Sequence, residues 1–276
     1  MGYIDAHVHV WTDHCERYPV ADGFPPEDAR PRFTPEELLP LCEASGVDRV
    51  VLIQMSFYGY DNSYMLDVIA ERPDVFRGVG IVDPGMPDLA EELDRLRDAG
   101  VRGLRIYSLE SELRSPLSAD RNRRLIREAG RAGIAICPLL DPDFLPALHR
   151  AAERAPDTTF VVDHLARIGI SGSIDDTEVD YLCALAKLPN VFVKVSAFYA
   201  LGAKEPPYLD LVPLVRRVCD AFGPERLMWA TDSPFQAWSH GYAESIALVR
   251  DRLDFLSDSD REWLLRRTTE RVFFGE

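Results

Sequence analysis

Asp88-Leu-Ala-Glu-Glu-Leu-Asp-Arg-Leu-Arg-Asp-Ala-Gly100-Val-Arg-Gly-Leu-Arg-Ile-Tyr107 contains one helix, one glycine stop and one strand in twenty residues. Its leucines at 89, 93 and 96 recur at helical spacing. Gly100 follows the last periodic residue, where a helix commonly ends. Val101–Tyr107 then reads as a short apolar strand. Ala132-Gly133-Ile134 repeats the helix, glycine, strand order. Working outward from this unit, the β-rich runs are 4–10, 49–54, 76–82, 101–107, 134–139, 159–163, 191–195 and 226–230. The helical patterns between them are 35–45, 62–71, 88–98, 120–132, 143–154, 177–187, 208–222 and 242–253, and a last helix covers 257–273. Thr34-Pro35 supplies an N-cap with proline at the first helical position. Eight β-then-α units with no Gly-, Ser- or Pro-rich linker predict one α/β domain over 1–276, a closed (β/α)8 TIM barrel.

Composition sets limits on function. The 276 residues carry 31 basic against 46 acidic side chains, a formal net charge of −15. That balance argues against nucleic-acid or anionic-membrane partners, which need a positive footprint. No apolar run nears the roughly 20 residues of a membrane helix. Cys15, Cys42, Cys137, Cys183 and Cys219 are odd in number and form no C-x-x-C pair. Without a signal-peptide pattern at the N-terminus, they are expected to be reduced thiols in a cytoplasmic protein. A homo-oligomer is left open.

A barrel places its chemistry at the C-terminal ends of its strands. His7 and His9 end the first run, Gln54 the second and Arg105 the fourth; His164 follows the sixth and Asp232 the eighth. In a strand, residues i and i+2 share a face, so His7 and His9 would project together. Taken alone, the pair could be two surface histidines, His164 a core histidine, and Asp232 a turn cap. Their placement on one rim favours a site. Two or three imidazoles and a carboxylate suit one divalent metal, zinc above all, with a position left for water. Asp232 can accept that water's proton. Arg105 calls for an anionic partner, either a substrate carboxylate or an internal Asp163 or Asp232. Lys194 is read as a structural ion pair with Asp163 or Asp232. Tyr58, Arg167, Tyr199 and His240 lie in post-strand loops as candidate lining groups, and Gln54 joins them as a substrate contact. His14 and His149 receive no role. Specificity is expected from the loops 11–32, 56–62, 108–117 and 197–207.

Six strings carry a resemblance in order along the chain: Ile4-Asp5-Ala6-His7-Val8-His9-Val10-Trp11, Gln54–Tyr64 (QMSFYGYDNSY), Gly100–Arg105 (GVRGLR), Val162-Asp163-His164-Leu165, Val193-Lys194-Val195-Ser196 and Met228–Pro234 (MWATDSP). With these the chain resembles the amidohydrolase superfamily, in the branch of 2-pyrone-4,6-dicarboxylate lactonase and the sugar lactonases. The resemblance implies hydrolysis of a lactone of a small acidic or sugar-derived compound. It implies a reactive centre of His7, His9, His164 and Asp232, with Asp232 as general base, His164 or a metal stabilising the carbonyl oxygen, and Arg105 on a substrate carboxylate. Many members end the fifth strand with a histidine or carboxylated lysine bridging two metals. Here the run is Ile134-Ala-Ile-Cys-Pro-Leu-Leu-Asp141, so one metal or none is expected, with Cys137 or Asp141 as conceivable substitute ligands. Two competing expectations remain: a non-oxidative decarboxylase of an aromatic or unsaturated acid, which the missing fifth-strand histidine disfavours, and a barrel that only binds a small ligand.

Overall fold

The computed structural model describes residues 2–25, 31–108 and 120–275. Eight parallel strands lie side by side in chain order: β1 Tyr3–Val8, β2 Val47–Ile53, β3 Phe76–Gly80, β4 Val101–Ser108, β5 Ala135–Leu140, β6 Phe160–Val162, β7 Val191–Val195 and β8 Leu227–Trp229. The surrounding helices are α1 Pro35–Ala44, α2 Ser63–Glu71, α3 Leu89–Asp98, α4 Asp120–Ala132, α5 Leu145–Arg154, α6 Asp176–Ala184, α7 Val212–Phe222, α8 Phe235–His240, α9 Tyr242–Ala247 and α10 Asp258–Glu262. The expected (β/α)8 barrel is the observed architecture. Val50 and Leu52 face the helices, whereas Val51 and Ile53 face the barrel axis, as the period of two requires. The axial layer also holds Ala6, Val79, Cys137, Val161, Met228 and Phe273. Gly103 admits this packing, since a Cβ there would lie 2.9 Å from Cys137 Sγ and from Val79 Cγ2.

Element boundaries depart from the sequence expectation in several places. The helical pattern at 242–253 leaves α9 for a wider π-helical turn at Leu248–Arg252, and α10 continues into two more, Trp263–Arg267 and Glu270–Phe274. α8 was not anticipated; six residues are too few to show a period. The first strand ends at Val8 rather than Val10, and its register against β2 shifts between Asp5 and Val8. A register shift of this kind re-aims side chains. None of the described residues forms a helix long and apolar enough to cross a membrane.

The cylinder closes one step beyond β8. Asp232 N–H donates to His7 O at 2.9 Å, and His9 N–H donates to Ser233 O at 2.7 Å. Beneath this seam the fully buried Asp5 carboxylate accepts from His7 N (3.1 Å), Thr231 N (3.0 Å), Thr231 Oγ1 (2.6 Å) and Tyr242 OH (2.8 Å). Burial pushes the Asp5 carboxyl up to about 6 against the pull of these donors. Replacing Asp5 by alanine would leave buried donors unpaired, which costs about 1–3 kcal/mol for a group. We expect Asp5→Ala to lose about 3 kcal/mol in urea unfolding and Asp5→Asn to lose less; a loss below about 1 kcal/mol for the alanine variant would contradict this role.

Candidate active site

The seam brings the ends of β1 and β8 together, and the side chains follow. His7 Nε2 lies 3.2 Å from His9 Nε2 and 3.5 Å from Asp232 Oδ1, and His9 Nε2 lies 3.2 Å from the same oxygen. A second contact fixes the His9 tautomer. His9 Nδ1 donates to Ile53 O at 3.0 Å, which leaves Nε2 as an acceptor. Arg105 Nη2, which can only donate, sits 3.0 Å from His7 Nε2. On its other side His7 Nδ1 lies 3.2 Å from Lys194 Nζ, also donor-only, and 3.3 Å from Asp163 Oδ1, so the ring is met by a cation at each nitrogen. Burial above all, with Lys194 and His164 adding, holds His7 far below the usual imidazole range and so neutral.

Three potential ligand atoms converge here, His7 Nε2, His9 Nε2 and Asp232 Oδ1. Their spacings of 3.2, 3.2 and 3.5 Å match the edge of a tetrahedron with 2.0–2.1 Å bonds, about 3.3–3.4 Å. Among the described residues His7, His9 and Asp232 form the group able to hold a metal ion. The donor set fits one divalent cation. Cys137 and Asp141 do not join it. Cys137 is buried in the axial layer with its thiol pushed up to about 12 by burial, and Asp141 pairs with Arg167 at 2.6 Å.

His164 stands apart from this group. Its Nε2 is 3.9 Å from Asp232 Oδ2, the oxygen turned away from His7 and His9, and its Nδ1 meets Ser196 Oγ at 2.9 Å. The residues His164, Leu165, Ala166 and Arg167 all have positive φ, between 52° and 59°. A run of left-handed non-glycine residues costs roughly 1–2 kcal/mol each, and such strain gathers at functional sites. Here it swings His164 over Asp232 and Arg167 onto the cavity wall. Tyr199 OH donates to Asp232 Oδ2 at 2.8 Å. Burial alone would raise the Asp232 pKa, but the imidazoles of His164, His9 and His7 outweigh it and hold the carboxylate well below its usual range.

Below the rim lies a buried charge network. Asp163 Oδ2 accepts from Arg105 Nη2 at 2.9 Å, and Lys194 Nζ is 3.0 Å from Oδ1. The ion pair read for Lys194 forms with Asp163, and the internal partner weighed for Arg105 is the same residue. Arg105 also reaches the cavity, where its Nε is buried without a hydrogen bond. The cavity encloses about 340 Å³ between His9, Arg105, His164, Arg167, Tyr199 and Asp232. Leu139, Ile170, Leu201 and Phe235 supply its apolar surface.

Three expected lining residues are elsewhere. The Gln54 side chain donates to Asp61 O, holding the loop after β2. Tyr58 OH is buried against the backbone of Thr12, 3.3 Å from its N and 3.4 Å from its O. His240 Nδ1 contacts Tyr208 OH at 2.9 Å at the end of α8. Each satisfies a local backbone or hydroxyl partner instead of facing the cavity. Ser196 and Phe235 were missed, although Ser196 directly follows β7 and the strand-end rule could have found it. The expected loops 11–32 and 108–117 lie partly outside the described residues.

Comparison with known proteins assigns the class. The amidohydrolase family model matches residues 4–275, and the chain belongs to that family. It is 33% identical over 240 residues to an L-fucono-1,5-lactonase of Burkholderia ambifaria, covering 84% of this chain and 80% of the relative. It is 31% identical over 244 residues to a 2-pyrone-4,6-dicarboxylate hydrolase of Comamonas testosteroni, covering 84% and 77%. Among solved structures, a putative 2-pyrone-4,6-dicarboxylic acid hydrolase from Pseudomonas putida superposes with a TM-score of 0.84 at 25% identity, covering 100% of this chain and 98% of that one.

Burial lowers the His164 pKa from 6.5 to about 4. Between those values the unfolded chain binds the proton and the folded one does not. Stability therefore rises with pH across this window, and the contribution is lost as pH falls through it, on the order of 3 kcal/mol in all. In metal-free protein we expect the His164 ring signals to titrate near pH 4 by NMR; a midpoint near 6.5 would contradict the burial argument.

Proposed function

We propose that the protein opens a lactone of a small acidic or sugar-derived compound with an activated water. The observation that carries this reading is the division of labour on Asp232: Oδ1 faces the two Nε2 atoms, and Oδ2 faces the cavity beside His164 and Tyr199. Asp232 Oδ2 thus offers an ionised carboxylate oxygen at the cavity, and a general base must lie within hydrogen-bond reach of the proton it takes. The lactonase and lactone-hydrolase names of the relatives support the same bond type. The role assignments below are our proposal for this chain.

Asp232 Oδ2 takes the proton of the attacking water. Tyr199 OH orients that oxygen and, raised by burial and by Asp232 beside it, stays a phenol. Our scheme has Ser196 Oγ–H, 2.9 Å from His164 Nδ1, donate to it, which puts the imidazole proton on Nε2, where it can bind the carbonyl oxygen as negative charge develops. Arg105 and Arg167 favour an anionic substrate, since a guanidinium fork matches a carboxylate. His7, His9 and Asp232 would hold one divalent metal, zinc by our reading of the donor set, and such an ion supplies water acidification and carbonyl polarisation. The whole chain, 1–276, serves as one catalytic unit. We place it in the cytoplasm, on the five free thiols.

Asp232→Asn should lower kcat on a responsive lactone by about 10³-fold or more while leaving KM within a few fold. Retained turnover would reject the base assignment. Tyr199→Phe should cost about 10-fold in kcat with little change in KM, because it loosens the base without removing it. Exhaustive chelation should abolish activity and one equivalent of zinc should restore it; full activity in protein shown to be metal-free would remove the ion from the scheme.

A further inference from the structure

We propose that the outer wall of the barrel between α4 and α5 binds a small organic anion with an apolar body, at a site separate from the cavity around Asp232. α4 packs against α3, and α5 against α6, but α4 and α5 barely touch each other. The gap is a cavity of about 540 Å³, larger than that around Asp232, and the two share no lining residue. This volume falls within the roughly 300–1,000 Å³ of small-molecule sites.

Its walls are two facing rows of arginine. Arg127 and Arg131 lie one turn apart on α4, and Arg150 and Arg154 one turn apart on α5. Between the rows the floor is made of small side chains, Ala147 and Ala151 among them. On a chain of net charge −15, Asp157 is the only acidic residue on the lining among the described residues. The α4 row is partly neutralised: Arg127 and Arg131 share Glu128 at 3.2 Å each, and Arg131 reaches Asp94. Arg150 and Arg154 are exposed and make no ion pair or hydrogen bond among the described residues. Like charges at i,i+4 repel, so this row lacks the counter-charge that an anion would provide.

The chemistry selects the ligand. Guanidinium forks take carboxylate, sulfonate or phosphate groups, and the carbon floor takes a ring or short chain. A second copy docking by a two-fold axis would set like arginine rows against each other. A nucleic acid needs a long basic stripe, which a chain of net charge −15 does not favour.

The test uses 1-anilinonaphthalene-8-sulfonate as probe, with benzene-1,3,5-tricarboxylate and inorganic phosphate as competitors. We expect one saturable fluorescence site, displaced by the tricarboxylate but not by phosphate, which lacks an apolar body. Arg150→Glu/Arg154→Glu should weaken binding at least 10-fold, and Ala151→Trp should abolish it by filling the floor. Lactone turnover should be unchanged in both. If the tryptophan variant fails to fold, the surface charge variant still decides the matter. Absence of saturable binding, or binding equal in wild type and charge variant, would overturn the proposal. So would sedimentation showing a wild-type oligomer that the charge variant dissolves, because the arginine rows would then belong to a subunit interface.

Discussion

Both barrel and site depend on the seam where β1 meets the segment after β8. Two backbone hydrogen bonds, Asp232 N to His7 O and His9 N to Ser233 O, close the cylinder and set the site in one act. Residues separated by 223 positions share a hydrogen bond because the same bonds that finish the barrel align their backbones. The buried Asp5 carboxylate anchors the seam from below by gripping Thr231 and Tyr242. Burying a carboxylate is expensive unless hydrogen bonds compensate it, and here four donors do so.

A second constraint arises one layer further in. Asp163 pairs with both Arg105 and Lys194 and lies against His7, so each buried axial cation has a carboxylate partner in surroundings of low dielectric. The consequence is directional. His7 and His9 both turn Nε2 toward Asp232 Oδ1, and the His164 turn presents its ring to the other oxygen. Left-handed backbone at four successive residues, and again at Asp232 with φ of 67°, is the strain that holds this geometry.

Much of this was legible in the sequence. The alternation of strands and helices gave the barrel because a parallel sheet needs a crossover for every strand, and each crossover leaves a periodic pattern. His7, His9, His164 and Asp232 could be picked out because the fold ties function to strand ends. What escaped was everything set by side-chain direction. Gln54 and Tyr58 sit at the right rim, yet nearby carbonyl and amide groups capture them. Arg105 could be given two partners but not the fact that one guanidinium touches Asp163, His7 and the cavity together. The left-handed turn at His164 left no mark, since no glycine announces it.

His7 Nε2, His9 Nε2 and Asp232 Oδ1 face one point, which we propose takes a divalent cation. Anomalous diffraction from crystals of zinc-replete protein tests it most directly. The account predicts a single scatterer about 2.0–2.2 Å from His7 Nε2, His9 Nε2 and Asp232 Oδ1. An empty point, with the three atoms held together by a proton on His9 and by the Arg105 guanidinium alone, would contradict it.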